Sequence, residues 1–242
     1  MKVSIVTITY NSEKTLEDTI KSIIGQDYPN IEYIIVDGAS KDGTLAIIER
    51  YKEKIAKFVS EPDRGICDAF NKGIQMATGE IIGIINSDDM LMPGAISHLV
   101  SVIQPNTDVL YGNGKRLFSD GHMQPYLSKD HKGLKSQMTL VHPATFVRKS
   151  AYEKYGYFDL KYKGCMDREL LLRMYVNGAV FQKDWYDYAI YRMGGFSDKQ
   201  FKDVVSKERE EISLRYGQCA FKVKVQSAFI RFAFLIRKII RG

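Results

Sequence analysis

The sequence predicts an α/β fold built on a largely parallel central sheet flanked by helices. Three observations carry that expectation. Short β-branched runs at 3–9, 31–36 and 81–85 alternate with stretches of helical spacing. These runs are continuously apolar rather than alternating, as in strands covered on both faces. The order strand, helix, strand then repeats through the first half of the chain, the rhythm of right-handed β-α-β units.

Residues 3–9 (VSIVTIT) read as a buried strand. Ser12 is placed to cap a helix that carries Leu16, Ile20, Ile23 and Ile24 on one face. Pro29-Asn30 interrupts the chain, and 31–36 forms a second strand running into Asp37-Gly38. A helix is expected over 44–54, with Leu45, Ile48 and Tyr51 on one side. A short strand at 58–60, a helix at 65–76, a strand at 81–85, a helix at 94–103 and a strand at 109–111 follow. Residues 112–145 are polar, glycine-containing and poorly periodic, so they are expected to be irregular. Beyond them come helices at 148–154 and 167–177, strands at 179–185 and 188–192, and a helix at 198–216.

The chain has 242 residues, 45% hydrophobic and 26% charged, enough for one ordinary domain with an appendage. The net charge of +6 suits an anionic ligand or surface but is too small to imply nucleic acid. Cys67, Cys165 and Cys219 lie at no metal-ligand spacing and read as thiols of a reducing compartment. The start, MKVSIVT, runs straight into a strand pattern without the apolar length of a signal peptide. No uncharged apolar window reaches the roughly 18 residues of a spanning helix.

In open α/β sheets, ligands bind beyond the carboxyl ends of the strands. Here the strands end in Thr9-Tyr10-Asn11, in Asp37-Gly38 and in Asn86-Ser87-Asp88-Asp89. The adjacent carboxylates Asp88 and Asp89 repel each other unless water solvates them or a cation sits beside them. The bland reading is a set of turn and cap residues. The chemical reading is a phosphate site, and it lacks the usual cradles. There is no Gly-x-Gly-x-x-Gly after the first strand and no Gly-x-x-x-x-Gly-Lys-Ser/Thr loop. Diphosphate charge would then be met by a hard cation, Mn²⁺ or Mg²⁺, on Asp88 or Asp89.

The segments IVTITYN (5–11), IIVDGASKDGT (34–44), DRGICDAFNKGIQMATGEIIGIINSDD (63–89) and GCMDRELLLR (164–173) resemble the family 2 glycosyltransferases of the GT-A fold. The resemblance spans roughly residues 1–200. It implies a nucleotide-sugar donor, a UDP-sugar first, a divalent cation, and inversion at the anomeric carbon. It implies a nucleotide-sugar-binding half at 1–112 and an acceptor-binding half at 113–217; the residues beyond, 218–242, are set off as a basic tail by their own sequence. Thr9, Tyr10, Asn11 and Asp37 would hold the base. The Asp-x-Asp region, here Asn86, Ser87 and Asp88, would meet ribose, diphosphate and metal. Asp63, Arg64 and Asn71 would line the donor pocket. The family's late Glu-Asp pair reads Met166-Asp167, leaving Asp167 as the general base. Arg168 and Glu169 are read as surface or ion-pair residues. His142 and Arg192 are candidates on the acceptor side. The Gln-x-x-Arg-Trp motif of processive synthases is absent, so a non-processive enzyme is expected.

The implied function is transfer of a sugar to a glycan or lipid-linked glycan acceptor in polysaccharide biosynthesis. The alternatives are a sugar-nucleotide nucleotidyltransferase and an inactive carbohydrate-binding relative. A nucleotidyltransferase would want a glycine-rich, basic first loop, which Thr9-Tyr10-Asn11-Ser12 is not. The tail adds a partner. Read as a helix, Phe221, Val225, Phe229, Phe232 and Ile236 share one broad face, with Arg231, Arg237 and Lys238 opposite or beside it. A basic amphipathic helix suits an anionic membrane surface. That places the protein in the cytoplasm, peripheral on the inner face of the membrane. Packing against the domain or in a homodimer is the alternative for the tail.

Overall fold

A computed structural model describes residues 1–194 and 202–219. The tail at 220–242, and the expectations placed on it, lie outside the described residues. In chain order the elements are β1 Val3–Thr9, α1 Leu16–Ile24, β2 Ile31–Asp37, α2 Thr44–Arg50, β3 Lys57–Ser60, α3 Ile66–Met76, β4 Ile81–Ile84 and β5 Met90–Leu91. Then come α4 Ala95–Val102, β6 Val109–Leu117, β7 Met123–Tyr126, β8 Thr145–Arg148, α5 Lys149–Tyr155, α6 Met166–Val176, β9 Phe181–Arg192 and α7 Lys202–Arg215.

One sheet runs in the order β3-β2-β1-β4-β8-β6-β9-β5, with β7 paired to β6 outside this path. The β3-β2-β1-β4 part is parallel, in register from Val3↔Ile31 to Thr9↔Asp37. At β8 the direction reverses: β4 and β6 both pair with it antiparallel. The expected largely parallel sheet is therefore a mixed one, parallel in its first half. Successive residues of a strand point to opposite faces, and here both faces are covered. Val6, Ile34 and Val36 pack with Phe70, Ile74, Leu171 and Leu172 on one side. Val3, Ile5 and Ile35 pack with Leu16, Ile20, Ile47 and Leu99 on the other. Helix α3 lies so close to β1 that a Cβ on Gly73 would fall 2.2 Å from Val6 Cγ1.

Three departures from the sequence expectation have local causes. Strand β6 continues to Leu117 through Gly112-Asn113-Gly114, which read as a break. A Cβ at Gly112 would meet the Tyr188 ring at 2.3 Å, and one at Gly114 would meet the Ala189 carbonyl at 2.6 Å. These glycines mark close approach of β9, where the β6–β9 register shifts, so β9 is one strand of 12 residues instead of two. Ser12 does not cap α1 with its side chain. Its carbonyl accepts from Thr15 and Leu16 N–H, and its hydroxyl lies 2.8 Å from Ser87 Oγ. Arg168 and Glu169 are interior, each 1% exposed. Glu169 does form an ion pair, with Arg173 at 3.1 Å.

Candidate active site

The carboxyl ends of β1, β2 and β4 form one edge, and each predicted residue there has a definite place. Asp37 is fully buried. Its carboxylate accepts from the Ser40 N–H at 3.0 Å, the Ser40 hydroxyl at 2.5 Å and the Ser60 hydroxyl at 2.6 Å. Ser40 Oγ in turn accepts from the Asn11 N–H at 2.8 Å, and Asn11 Oδ1 accepts from Lys41 N–H at 2.8 Å. The loops after β1 and β2 are thus one hydrogen-bonded unit. Asn11 and Ala39 within it hold left-handed φ values of 49° and 63°, uncommon for residues with a side chain. Tyr10 projects from this unit, 60% exposed. A Cβ on Gly38 would meet Asp63 Oδ2 at 2.7 Å and Tyr10 Cδ2 at 3.4 Å, so Tyr10, Gly38 and Asp63 lie together.

Arg64 and Asn71 stand differently. The Arg64 guanidinium is largely exposed and pairs with Asp68 at 3.1 Å. The Asn71 amide is committed to the main chain of Phe158, donating at 2.9 Å and accepting at 2.9 Å. It fastens α3 to the segment ahead of α6.

The turn after β4 separates its two aspartates. Asp88 is partly exposed, whereas Asp89 is fully buried. Asp89 accepts from the Arg192 N–H at 3.1 Å and from the Asn86 amide at 3.3 Å. Burial, with Asp88 beside it, holds the Asp89 carboxyl well above the usual range. Arg192 also donates from Nε to the Asp88 carbonyl at 3.2 Å and from Nη2 to Asp18 at 3.0 Å. It buttresses the turn and is already paired. Two buried oxygens on this edge, Thr9 Oγ1 and Asn86 Oδ1, have no hydrogen-bond partner among the described residues. Such orphans are costly unless a ligand or water meets them.

Because β8 is antiparallel to β4, with Phe146 opposite Gly83, the residues that precede β8 reach the same edge as those that follow β4. Asn86, His142 and Asp167 accordingly line one cleft, with an empty volume of about 890 Å³. Phe70, Tyr126, Tyr191 and Lys163 line it too. The Tyr126 and Tyr191 rings meet edge to face at 5.8 Å. The His142 ring lies 5.8 Å from Phe70 and 6.4 Å from Phe158. Burial among these rings lowers its pKa, and the Asp167 charge opposes the fall. Asp167 sits in the first turn of α6, partly exposed, with Oδ1 accepting from the Arg168 N–H at 2.8 Å. The structure therefore brings Asn86, His142 and Asp167 together, and it turns Asp37, Asp89, Asn71 and Arg192 toward the protein.

Sequence reasoning missed Lys163, Tyr126, Tyr191 and Glu208. Lys163-Gly164 immediately precedes the Met166-Asp167 pair, which was a usable signal. The Glu208 carboxylate binds N–H groups 43 to 45 residues away, and nothing local announces that.

A sheet that is parallel as far as β4 and changes direction at β8, with the polar strand ends on one side and the carboxylate-bearing helix α6 on the other, is the architecture of the GT-A fold. Comparison with known proteins agrees. The model of glycosyl transferase family 2 matches residues 4–156. Uncharacterized glycosyltransferase Rv1514c of Mycobacterium tuberculosis is 33% identical over 177 residues, 71% of this chain and 68% of that protein. Putative glycosyltransferase EpsE of Bacillus subtilis is 29% identical over 90% of this chain and 82% of its own. Poly(ribitol-phosphate) beta-N-acetylglucosaminyltransferase TarS of Staphylococcus aureus is 26% identical over 89% of this chain, which spans 38% of that protein. In fold, S. aureus TarS 1-349 in complex with UDP-GlcNAc superposes with a TM-score of 0.70 at 22% identity, covering 92% of this chain and 69% of that one. The mannosyltransferase PcManGT of Pyrobaculum calidifontis gives 0.69 at 18% identity, covering 93% and 69%. The chain belongs to glycosyl transferase family 2 and is a glycosyltransferase of the GT-A fold.

Proposed function

We propose that this enzyme moves a sugar, with inversion, from a nucleotide-diphosphate donor to a hydroxyl of a glycan or lipid-linked glycan, one sugar per encounter. The observation that carries the reading is the shared cleft of Asn86, His142 and Asp167. TarS and PcManGT, solved with UDP-GlcNAc and with GDP-Man and Mn²⁺ respectively, support a nucleotide-sugar donor. Tyr10, with Asp63 beside it, offers a face for the base, and Asp37 serves it indirectly by ordering the loop. Ser87 is fixed by Ser12, and Arg64 stands at the exposed flank.

A divalent cation, Mn²⁺ or Mg²⁺, fits this edge. Asn86 Oδ1 is a buried oxygen without a partner among the described residues, and Asp88 is the aspartate of the turn that is partly exposed. Among the described residues no three His, Cys, Asp or Glu side chains converge as a metal cage. That donor set suits an ion whose remaining ligands are phosphate oxygens and water. Asp88 would hold the cation, with Asn86 beside it, and Asp89 shapes the turn. When bound, it supplies charge relief for the departing diphosphate. Asp167 takes the proton of the acceptor hydroxyl as that oxygen bonds to the anomeric carbon. The carbon–oxygen bond to the diphosphate breaks, and its electron pair leaves with the nucleotide. His142, whose pKa burial lowers, offers a hydrogen bond to a sugar hydroxyl.

Incubation with a panel of nucleotide sugars and Mn²⁺, followed by measurement of released nucleotide with and without oligosaccharide, tests the reading. Release with at least one donor, stimulated by acceptor, is expected. Tight nucleotide binding with no release for any donor would favour a binding protein instead. Among the described residues no helix is long and apolar enough to cross a membrane. The tail at 220–242 would hold the enzyme on an anionic bilayer beside a lipid-linked acceptor.

A further inference from the structure

We infer that Glu208, on α7, is a positioning residue for Asp167. Helix α6 starts without a side-chain cap from the preceding residue, Cys165. The three backbone N–H groups ahead of it, of Lys163, Gly164 and Cys165, donate to the Glu208 carboxylate at 2.8, 2.9 and 2.9 Å. That carboxylate is largely buried. A carboxylate that collects successive N–H groups just ahead of a helix satisfies the donors of the entering loop and meets the positive end of the helix dipole. It fixes, from another helix, the loop that leads into α6.

A second fastening lies on the other side of Asp167. The buried Arg168 guanidinium donates to the Arg209 carbonyl at 3.1 Å and the Ser213 hydroxyl at 2.9 Å, both on α7. It also donates to the carbonyls of Leu134 at 2.9 Å and Lys135 at 2.7 Å. Burial lowers the Arg168 pKa to about 10. The backbone before Asp167 and the side chain after it are thus pinned to the same helix, while the Asp167 side chain itself is left at the cleft. Helix α7 lies beyond residues 4–156, where the family model matches. It supplies the rigid frame that a proton-accepting carboxylate needs, since a displacement near 1 Å can cost on the order of 10²-fold in rate.

This inference rests on Asp167 as the base, yet the position of its carboxylate can be read without turnover. The Asp167 charge raises the His142 pKa against burial, so His142 reports on where that charge sits. The Glu208→Asp variant keeps the charge and draws the carboxylate back by one methylene. Imidazole titrations by NMR would be compared in wild type, Asp167→Asn, Glu208→Asp and Glu211→Gln. Glu211, on the same helix, pairs with Lys161 and the Tyr162 hydroxyl and serves as the control. The expected result is a lower His142 pKa in Glu208→Asp, in the direction of Asp167→Asn, with Glu211→Gln near wild type. With a donor from the screen, kcat should fall on the order of 10²-fold with KM for the donor unchanged. A folded Glu208→Asp whose His142 titrates as in wild type overturns the inference. If that variant does not fold, Glu208→Gln, which keeps one oxygen for Gly164 and Cys165, is read against Glu211→Gln. A shift no larger than the control's overturns the inference equally. Failure of every donor in wild type would sink the functional reading and leave the titration result standing.

Discussion

Asp37 separates two roles that a sequence motif merges. Replacing it with Ala removes the acceptor for the Ser40 N–H, the Ser40 hydroxyl and the Ser60 hydroxyl. Ser60 is exposed, so its hydroxyl returns to water. The two Ser40 donors are buried and cannot. Hydrogen bonds to a charged group are worth about 1.5–3 kcal/mol each, so the loss comes to about 3–6 kcal/mol. For a domain of this size each kcal/mol moves Tm by roughly 2–4 °C, which predicts a fall between roughly 6 and 24 °C. Asp37→Asn keeps one oxygen, and the serine hydroxyls can turn to accept from its amide, so its fall should be the smaller. Calorimetric melting of both variants, with nucleotide titrations on the folded fraction, gives the comparison. If Asp37→Ala melts like wild type while nucleotide affinity collapses, the carboxylate is a ligand contact and the loop-ordering argument fails.

Asp167→Asn should lower turnover by about 10²–10⁴-fold, the usual worth of a general base, with nucleotide Kd unchanged; unchanged turnover in the donor assay would leave Asp167 a helix-start residue. Asp88→Ala should abolish the response of nucleotide binding to added Mn²⁺, measured by calorimetry, and full activity of wild type in EDTA would end the metal reading. Gly73→Ala should destabilise by about 1–3 kcal/mol in urea melts, because its Cβ would stand 2.2 Å from Val6 Cγ1 in a packed layer; a neutral change would show that α3 slides freely on β1. Burial lowers the pKa of His131 and His142 below 6.5. The unfolded chain therefore takes up protons first as pH falls, so stability is full above that value and is lost as pH drops through the folded values. A Tm that rises from pH 7 toward pH 5 would contradict this. Deleting 220–242 should abolish cosedimentation with anionic vesicles and spare donor turnover; equal cosedimentation of both forms would refute the membrane role.

The strands at 3–9, 31–37 and 81–84 were legible because continuous apolar runs have few other ways to be buried. Their polar ends come together at one edge of the sheet, as the sequence pattern expects. What could not be read was which carboxylates face outward. Asp37 and Asp89 look like Asp88 in sequence, and their burial depends on donors supplied by Ser40, Ser60, Asn86 and Arg192. The second half was harder still. Gly112 and Gly114 read as a break because the neighbour that explains them, β9, lies more than seventy residues on. Arg168 read as a surface residue because its partners at 134–135 and 209–213 meet it only in the folded chain.

The bonds from Glu208 to the N–H groups of Lys163, Gly164 and Cys165 also bear on when the site exists. During synthesis the chain emerges at about 5–20 residues per second, its N-terminal part first. The strands of the nucleotide edge are complete by Asp89, whereas Glu208 follows Lys163 by 45 residues. At those rates it emerges roughly 2–9 s later. A nascent chain should therefore bind nucleotide before it can hold Asp167 in place. Ribosome-bound chains ending at 160 and at 219, each followed by a linker long enough to clear the exit tunnel, would show this as retention on nucleotide resin for both and donor turnover for the longer alone. On this order of events, a growing polypeptide of that length would hold donor without turning it over.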